Sequence, residues 1–223
     1  MDSTEGLLTP RRGFLARLLA GVATLAAAPG TGLGQAETRQ GAAAKWDDGW
    51  TARVTGRHRA VFDIPEIKGG VVGLFRSGMW MDNYAEMYGV KDQDLTPVVV
   101  IRHAAVPMFM SDVFWDSYGY REEYASVLED LPKDGAGNPF RKQGFGGKDF
   151  GIEPLLGRGA ILLGCGVAFR RIIGDVMKRD NLSMPDAEAR ARAHILPGVS
   201  LQPSGIFAVA RAQDLGCSYV WAT

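Results

Sequence analysis

Apolar and polar positions alternate between two periods along this chain. Arg59-Ala60-Val61-Phe62-Asp63-Ile64 is a short β-type run stopped by Pro65. Gly69-Gly70 then opens a segment in which Val72, Phe75 and Met79 form one helical stripe and Trp80, Tyr84 and Met87 the next, which predicts a helix to about Tyr88. Pro97-Val98-Val99-Val100-Ile101-Arg102-His103 has almost no polar alternation, and a bounded run of this kind marks a strand covered on both faces. A helix is predicted from near Pro107, carrying Met108, Phe109, Val113 and Trp115, and Ala160-Ile161-Leu162-Leu163-Gly164-Cys165 reads as a third buried strand followed by a helix from Gly166 to about Arg179. The remainder predicts a short helix over Pro185 to Ala193, a strand at Val199-Ser200-Leu201, a helix from Ser204 to Leu215 and a strand from Cys217 to Trp221. Strands separated by helices imply a three-layer α/β/α sandwich around a mostly parallel five-stranded sheet with right-handed crossovers.

Two segments stand outside this rhythm. Thr9-Pro10-Arg11-Arg12-Gly13-Phe14-Leu15, the apolar run Leu18 to Ala28 and the small residues ending at Gln35-Ala36 form a twin-arginine export signal, with cleavage expected after Ala36. The run is too short for a spanning helix, which needs about 20 residues. A bacterial periplasmic protein is therefore expected, with no membrane contact in its mature form. Residues 37 to 56 form a polar arm in which Trp46 and Trp50 should pin the chain to the domain at 57 to 223. The second segment, about 129 to 157, is rich in glycine and proline and reads as an insertion at the functional edge of the sheet.

Composition narrows the chemistry. With 46% hydrophobic and 22% charged residues the chain is globular. Removing the signal leaves 22 basic against 23 acidic residues, a net charge of −1 that gives nucleic acid no reason to bind. Two cysteines and the scattered His58, His103 and His194 supply neither a disulfide scaffold nor a clustered metal or haem site, so no metal and no cofactor is expected. Gly144-Phe145-Gly146-Gly147-Lys148 lacks the spacing of a phosphate loop, and Gly164-Cys165-Gly166-Val167-Ala168-Phe169 lacks the third glycine of a dinucleotide fingerprint.

Open α/β sheets work at the carboxyl ends of their strands. The predicted ends deliver Asp63, with Glu66 beyond it, then Arg102-His103, then Cys165. Cys165 would start a helix, where unpaired N–H groups and the helix dipole stabilise a thiolate, and Arg102 or protonated His103 would add positive charge. The alternative is a buried structural cysteine closing a strand. Because Cys165 ends one strand and Cys217 begins another, the two thiols are expected at opposite edges of the sheet and free.

The element order, Leu162-Leu163-Gly164-Cys165-Gly166-Val167-Ala168, Leu196-Pro197-Gly198-Val199 and Gly205 through Tyr219 resemble the DsrE/DsrF-like family over roughly 57 to 223, most specifically 158 to 223. That resemblance implies an α/β domain assembled as a trimer or hexamer, with Cys165 in the position that carries a persulfide. On it, Cys165 is the nucleophile, His103 its tuning group, and Arg102, Asp63 and Gly166 bind a small sulfur anion or the donor or acceptor protein. The alternative is a non-catalytic binding or assembly subunit, in which the methionines and aromatics of 79 to 88 and 106 to 120 build an oligomer interface or an apolar ligand pocket. The export signal and the 129 to 157 insertion set this chain apart from the cytoplasmic relay proteins.

Overall fold

Strands without polar alternation need cover on both faces. A computed structural model of the chain, which describes residues 46–68, 70–127, 136–142, 144–145 and 148–222, provides it. The export signal, residues 37 to 45 of the arm, Gly69 and Gly146-Gly147 of the glycine-rich loop lie outside the described residues. The strands in chain order are β1 (His58–Ile64), β2 (Leu95–Ile101), the two-residue pair β3 (Gly144–Phe145) and β4 (Lys148–Asp149), β5 (Ile161–Cys165), β6 (Val199–Gln202) and β7 (Ser218–Trp221). The helices are α1 (Gly70–Tyr88), α2 (Asp112–Ser117), α3 (Tyr120–Glu123), α4 (Ile152–Gly157), α5 (Gly166–Asp180), α6 (Met184–Ala193) and α7 (Gly205–Asp214).

Five strands form one fully parallel sheet in the order β6-β5-β2-β1-β7. One face packs Phe62, Ile64, Val99, Ile101 and Leu162 against Leu74 and Met81 of α1 and Phe169, Ile172 and Val176 of α5. The other packs Val61, Val98, Val100, Ile161 and Leu163 against Ala208 and Ala212 of α7 and against Trp50 and Val54 of the arm. This is the three-layer α/β/α sandwich. Right-handed crossovers explain the two unequal layers. Steps β1 to β2 to β5 to β6 all move one way across the sheet, whereas β6 to β7 reverses over three strands, which sends α7 alone to the opposite face.

The arm behaves as its tryptophans suggest: Trp50 is buried, and its Nε1 donates to Gln202 Oε1 at 3.0 Å. After β2 the structure departs from the predicted helix near Pro107. Residues His103–Phe109 form a 3-10 turn with Pro107 inside it, and α2 begins only after Ser111, whose Oγ accepts the Phe114 N–H at 3.2 Å. Met108, Phe109, Met110, Phe114, Trp115 and Tyr120 are fully buried within this one chain, so the apolar surplus of 106 to 120 is core rather than interface. The described part of the insertion is woven into the fold. Asn138 Nδ2 donates to the carbonyls of Met108 and Met110, and Phe150 meets Phe75 of α1 edge-on. Both cysteines are free. Cys217 sits just before β7 at one end of the sheet and Cys165 at the other end of β5, an inner strand rather than an edge.

Candidate functional site

In a parallel sheet, a crevice opens between adjacent strands whose following helices lie on opposite faces. Here those strands are β5, followed by α5, and β6, followed by α7. Their last residues, Cys165 and Gln202, are partners in the register, so the thiol stands at the crevice. Cys165 is also the N-cap of α5: its Sγ accepts the Ala168 N–H at 3.4 Å, as a hydroxyl or carboxylate does at other helix starts. Helix N-termini in general favour negative charge through their unpaired N–H groups.

The crevice is plugged by the arm. Gln202 accepts from Trp50 and donates through Nε2 to the Asp47 carbonyl at 2.9 Å. A Cβ on Gly166 would lie 2.6 Å from the Trp46 ring and 2.7 Å from the Gln202 carbonyl oxygen, so only glycine lets α5 start under that ring. The predicted role of Gly166 thus becomes steric. Outside Trp46 a groove of about 300 Å³ runs between α5 and α6, floored by Phe169, Met177 and Met184 and bordered by Arg170 and Arg192. Cys165 itself is only 6% exposed.

Asp63 and Arg102 meet beside it. The Arg102 N–H donates to the Ile64 carbonyl at 3.0 Å, extending the β1–β2 pairing past the strand. The Arg102 side chain turns back, donating Nε to Asp63 Oδ1 at 2.6 Å and Nη2 to Oδ2 at 2.9 Å, while Tyr219 Oη donates to Oδ2 at 3.0 Å. The Asp63 hydrogen bond and charge hold the guanidinium's pKa above its ordinary value against the opposing effect of burial, and Tyr219 and Cys165 add smaller raising effects. Burial first and Asp63 second push the Tyr219 hydroxyl up. A Cβ on Gly205 would come 2.4 Å from the Arg102 Cβ, so the first turn of α7 rests on the arginine stem.

His103 does not join this group. It adopts a left-handed backbone, φ +49°, which turns the chain into the 3-10 segment and points the imidazole at Glu66, 3.8 Å away, and into solvent. Asp63, Arg102, Cys165 and Gly166 are thus gathered at one end of the sheet, with His103 on its outer rim. Tyr219 and Gln202 also belong to the site although their roles were not anticipated, and Trp46, expected to pin the arm, lies over Gly166 there. A polar Gln202 ending an apolar strand was the available signal; the Tyr219 contact needed the sheet order. Burial pushes the Cys217 thiol up, opposed by Arg59.

Among the described residues no group of three or more His, Cys, Asp or Glu is placed to hold a metal, and no helix is long and apolar enough to cross a membrane. No model of a known protein family matches the chain, and no curated protein does. Function has to be read from the chemistry of the site itself.

Proposed function

We propose that this is an exported, periplasmic protein related to the DsrE/DsrF-like group that works through the thiolate of Cys165, as a sulfur carrier or sulfurtransferase. The observation that carries this reading is the position of Cys165: a free cysteine capping a helix at the crevice of a parallel sheet, at the same sheet end as Arg102. With thiosulfate as donor, the Cys165 thiolate attacks the outer sulfur and a new S–S bond forms on the cysteine. The donor's S–S bond breaks and sulfite leaves with its electron pair. Charge and oxidation level balance without any further reactant. Arg102 stabilises the anionic sulfur before and after transfer. His103, facing Glu66, has no part in this step.

A second reading, a non-catalytic binding or assembly subunit, draws on the low exposure of Cys165 and on Arg102 being clasped by Asp63. One experiment separates the two. The protein is incubated with thiosulfate and its intact mass and peptides are measured, alongside Cys165→Ser and Cys217→Ser. The sulfur-carrier reading expects a one-sulfur adduct on Cys165, lost in Cys165→Ser and retained in Cys217→Ser. It also expects faster alkylation of Cys165 than of Cys217, whose thiol burial pushes up. Equal, slow labelling and no adduct would transfer the case to the assembly reading.

A further inference from the structure

The two edges of the sheet are treated differently. Along β6 the arm provides cover, with Trp50 buried and Asp47 bound to Gln202. The outer edge of β7 has no such cover among the described residues. Because the Ala222 N–H donates to the Asp63 carbonyl, Ser218 and Val220 turn their backbone groups toward β1, and those of Tyr219 and Trp221 point away from it. Ser218-Tyr219-Val220-Trp221 itself contains no charge, proline or bulge, the devices that normally keep an edge strand from pairing, and the charge that does reach the edge is Arg76 at the Trp221 carbonyl.

The side chains around this edge are apolar and exposed. Tyr219 and Trp221 lie on the same face of the strand, 44% and 52% exposed. On the opposite face, Arg76 of α1 donates to the Trp221 carbonyl at 3.1 Å, which turns its stripe toward the edge; Val72 and Met79, one turn to either side of Arg76, are each more than a third exposed. These four side chains leave on the order of 400 Å² uncovered per copy, the size of the largest patch on an ordinary monomer.

We propose that a second copy of this chain docks here, β7 against β7, joining two sheets into one of ten antiparallel-seamed strands. A two-fold axis at Val220 sets Tyr219 opposite Trp221 of the other copy, and the outward backbone groups of both residues form the new ladder, the Trp221 carbonyl taking the other copy's Tyr219 N–H on its second lone pair or in place of Arg76. The rings from both copies then fill the trough between the two α7 helices, because among the described residues each sheet carries only that one helix on this face. The four side chains of each copy contribute roughly 800 Å² in all, and the strand backbones bring the contact to the roughly 1,000 Å² that a specific interface needs. A two-fold contact of this kind is a building block of a dimer or hexamer and is independent of any chemistry at Cys165.

The test uses the full chain. Sedimentation at micromolar concentration should give an even-numbered oligomer, and Trp221→Lys, which places a charge on the edge, should halve its mass while circular dichroism stays native. In a Cys165→Ser, Cys217→Ser background, Val220→Cys should form an intermolecular disulfide on oxidation, since residues directly opposite in a non-hydrogen-bonded antiparallel pair lie about 4.5 Å apart at Cα. A monomeric parent chain, or an oligomer that survives Trp221→Lys and leaves Val220→Cys uncrosslinked, overturns the proposal.

Discussion

Asp63→Asn should be the most damaging conservative change near the crevice. Buried Asp63 accepts three hydrogen bonds, two from Arg102 and one from Tyr219, and so ties the ends of β1, β2 and β7 together. Asparagine keeps the shape but replaces one acceptor oxygen by an NH₂, which must face either an arginine N–H or the tyrosine hydroxyl, and it removes the charge that balances the guanidinium. Breaking a buried ion pair from one side costs about 3–5 kcal/mol. The Arg102 side chain keeps 22% of its surface, so water recovers part of that, and about 2–3 kcal/mol is expected. In a domain of this size that lowers Tm by roughly 5–10 °C. Urea unfolding followed by circular dichroism measures it, with an unchanged m-value as the sign that stability alone has moved. Adding Arg102→Met should restore part of the loss, because the orphaned charge goes with it. A loss below about 0.5 kcal/mol, or strict additivity of the two changes, would refute the claim that this pair acts as one buried unit.

Two further changes probe other contacts. Burial foremost, and Arg190 next, lower the His194 pKa from its ordinary value, with Asp180 opposing. The unfolded chain therefore takes up the proton first, and the contribution of His194 is present above about pH 6.5 and lost as pH falls below it. His194→Phe, which keeps a ring beside Phe114, should flatten the fall in stability between pH 7 and 5 measured by urea titration; an unchanged slope would exclude His194 as its source. Gln202→Ala removes the acceptor of Trp50 and the donor to Asp47, and should cost about 1–3 kcal/mol while speeding hydrogen exchange in Gly49–Arg53. Exchange as slow as in the parent would mean that apolar packing of Trp50 alone holds the arm.

The buried strands were legible because their composition leaves no alternative: Val98-Val99-Val100-Ile101 and Ile161-Leu162-Leu163 cannot face water on either side. The residues at their ends could be named for the same reason, since parallel strands place their last side chains at one edge of the fold. What could not be read was who faces whom. Asp63 meets Arg102 and Tyr219 only because β1 lies between β2 and β7, and strand order is a property of crossovers, not of local pattern. The helix placed at Pro107 failed on turn chemistry. His103 in the left-handed region and the Ser111 cap divert the chain through a 3-10 segment that apolar spacing alone resembles closely enough to pass for a helix. How the insertion is anchored was not legible because the anchor is polar: Asn138 binds two carbonyls, a contact that hydrophobic periodicity does not register.

The reversal of the chain after β6 connects these features. It puts α7 on the opposite face from α5, which opens a crevice between β5 and β6, and among the described residues it leaves that face with a single helix, which the arm supplements. The same Gln202 that ends β6 therefore does two things: its backbone oxygen crowds Gly166 at the start of α5, and its side chain holds the arm whose Trp46 rests over that glycine. The arm bordering this crevice is bound through a few hydrogen bonds and the buried Trp50 ring, and segments with so few contacts open at lower free energy than the sheet beneath them. Arg102 is braced by Asp63 and by the α7 turn at Gly205, so under the proposed function the charge that would favour an anionic sulfur is held in place by the sheet end itself.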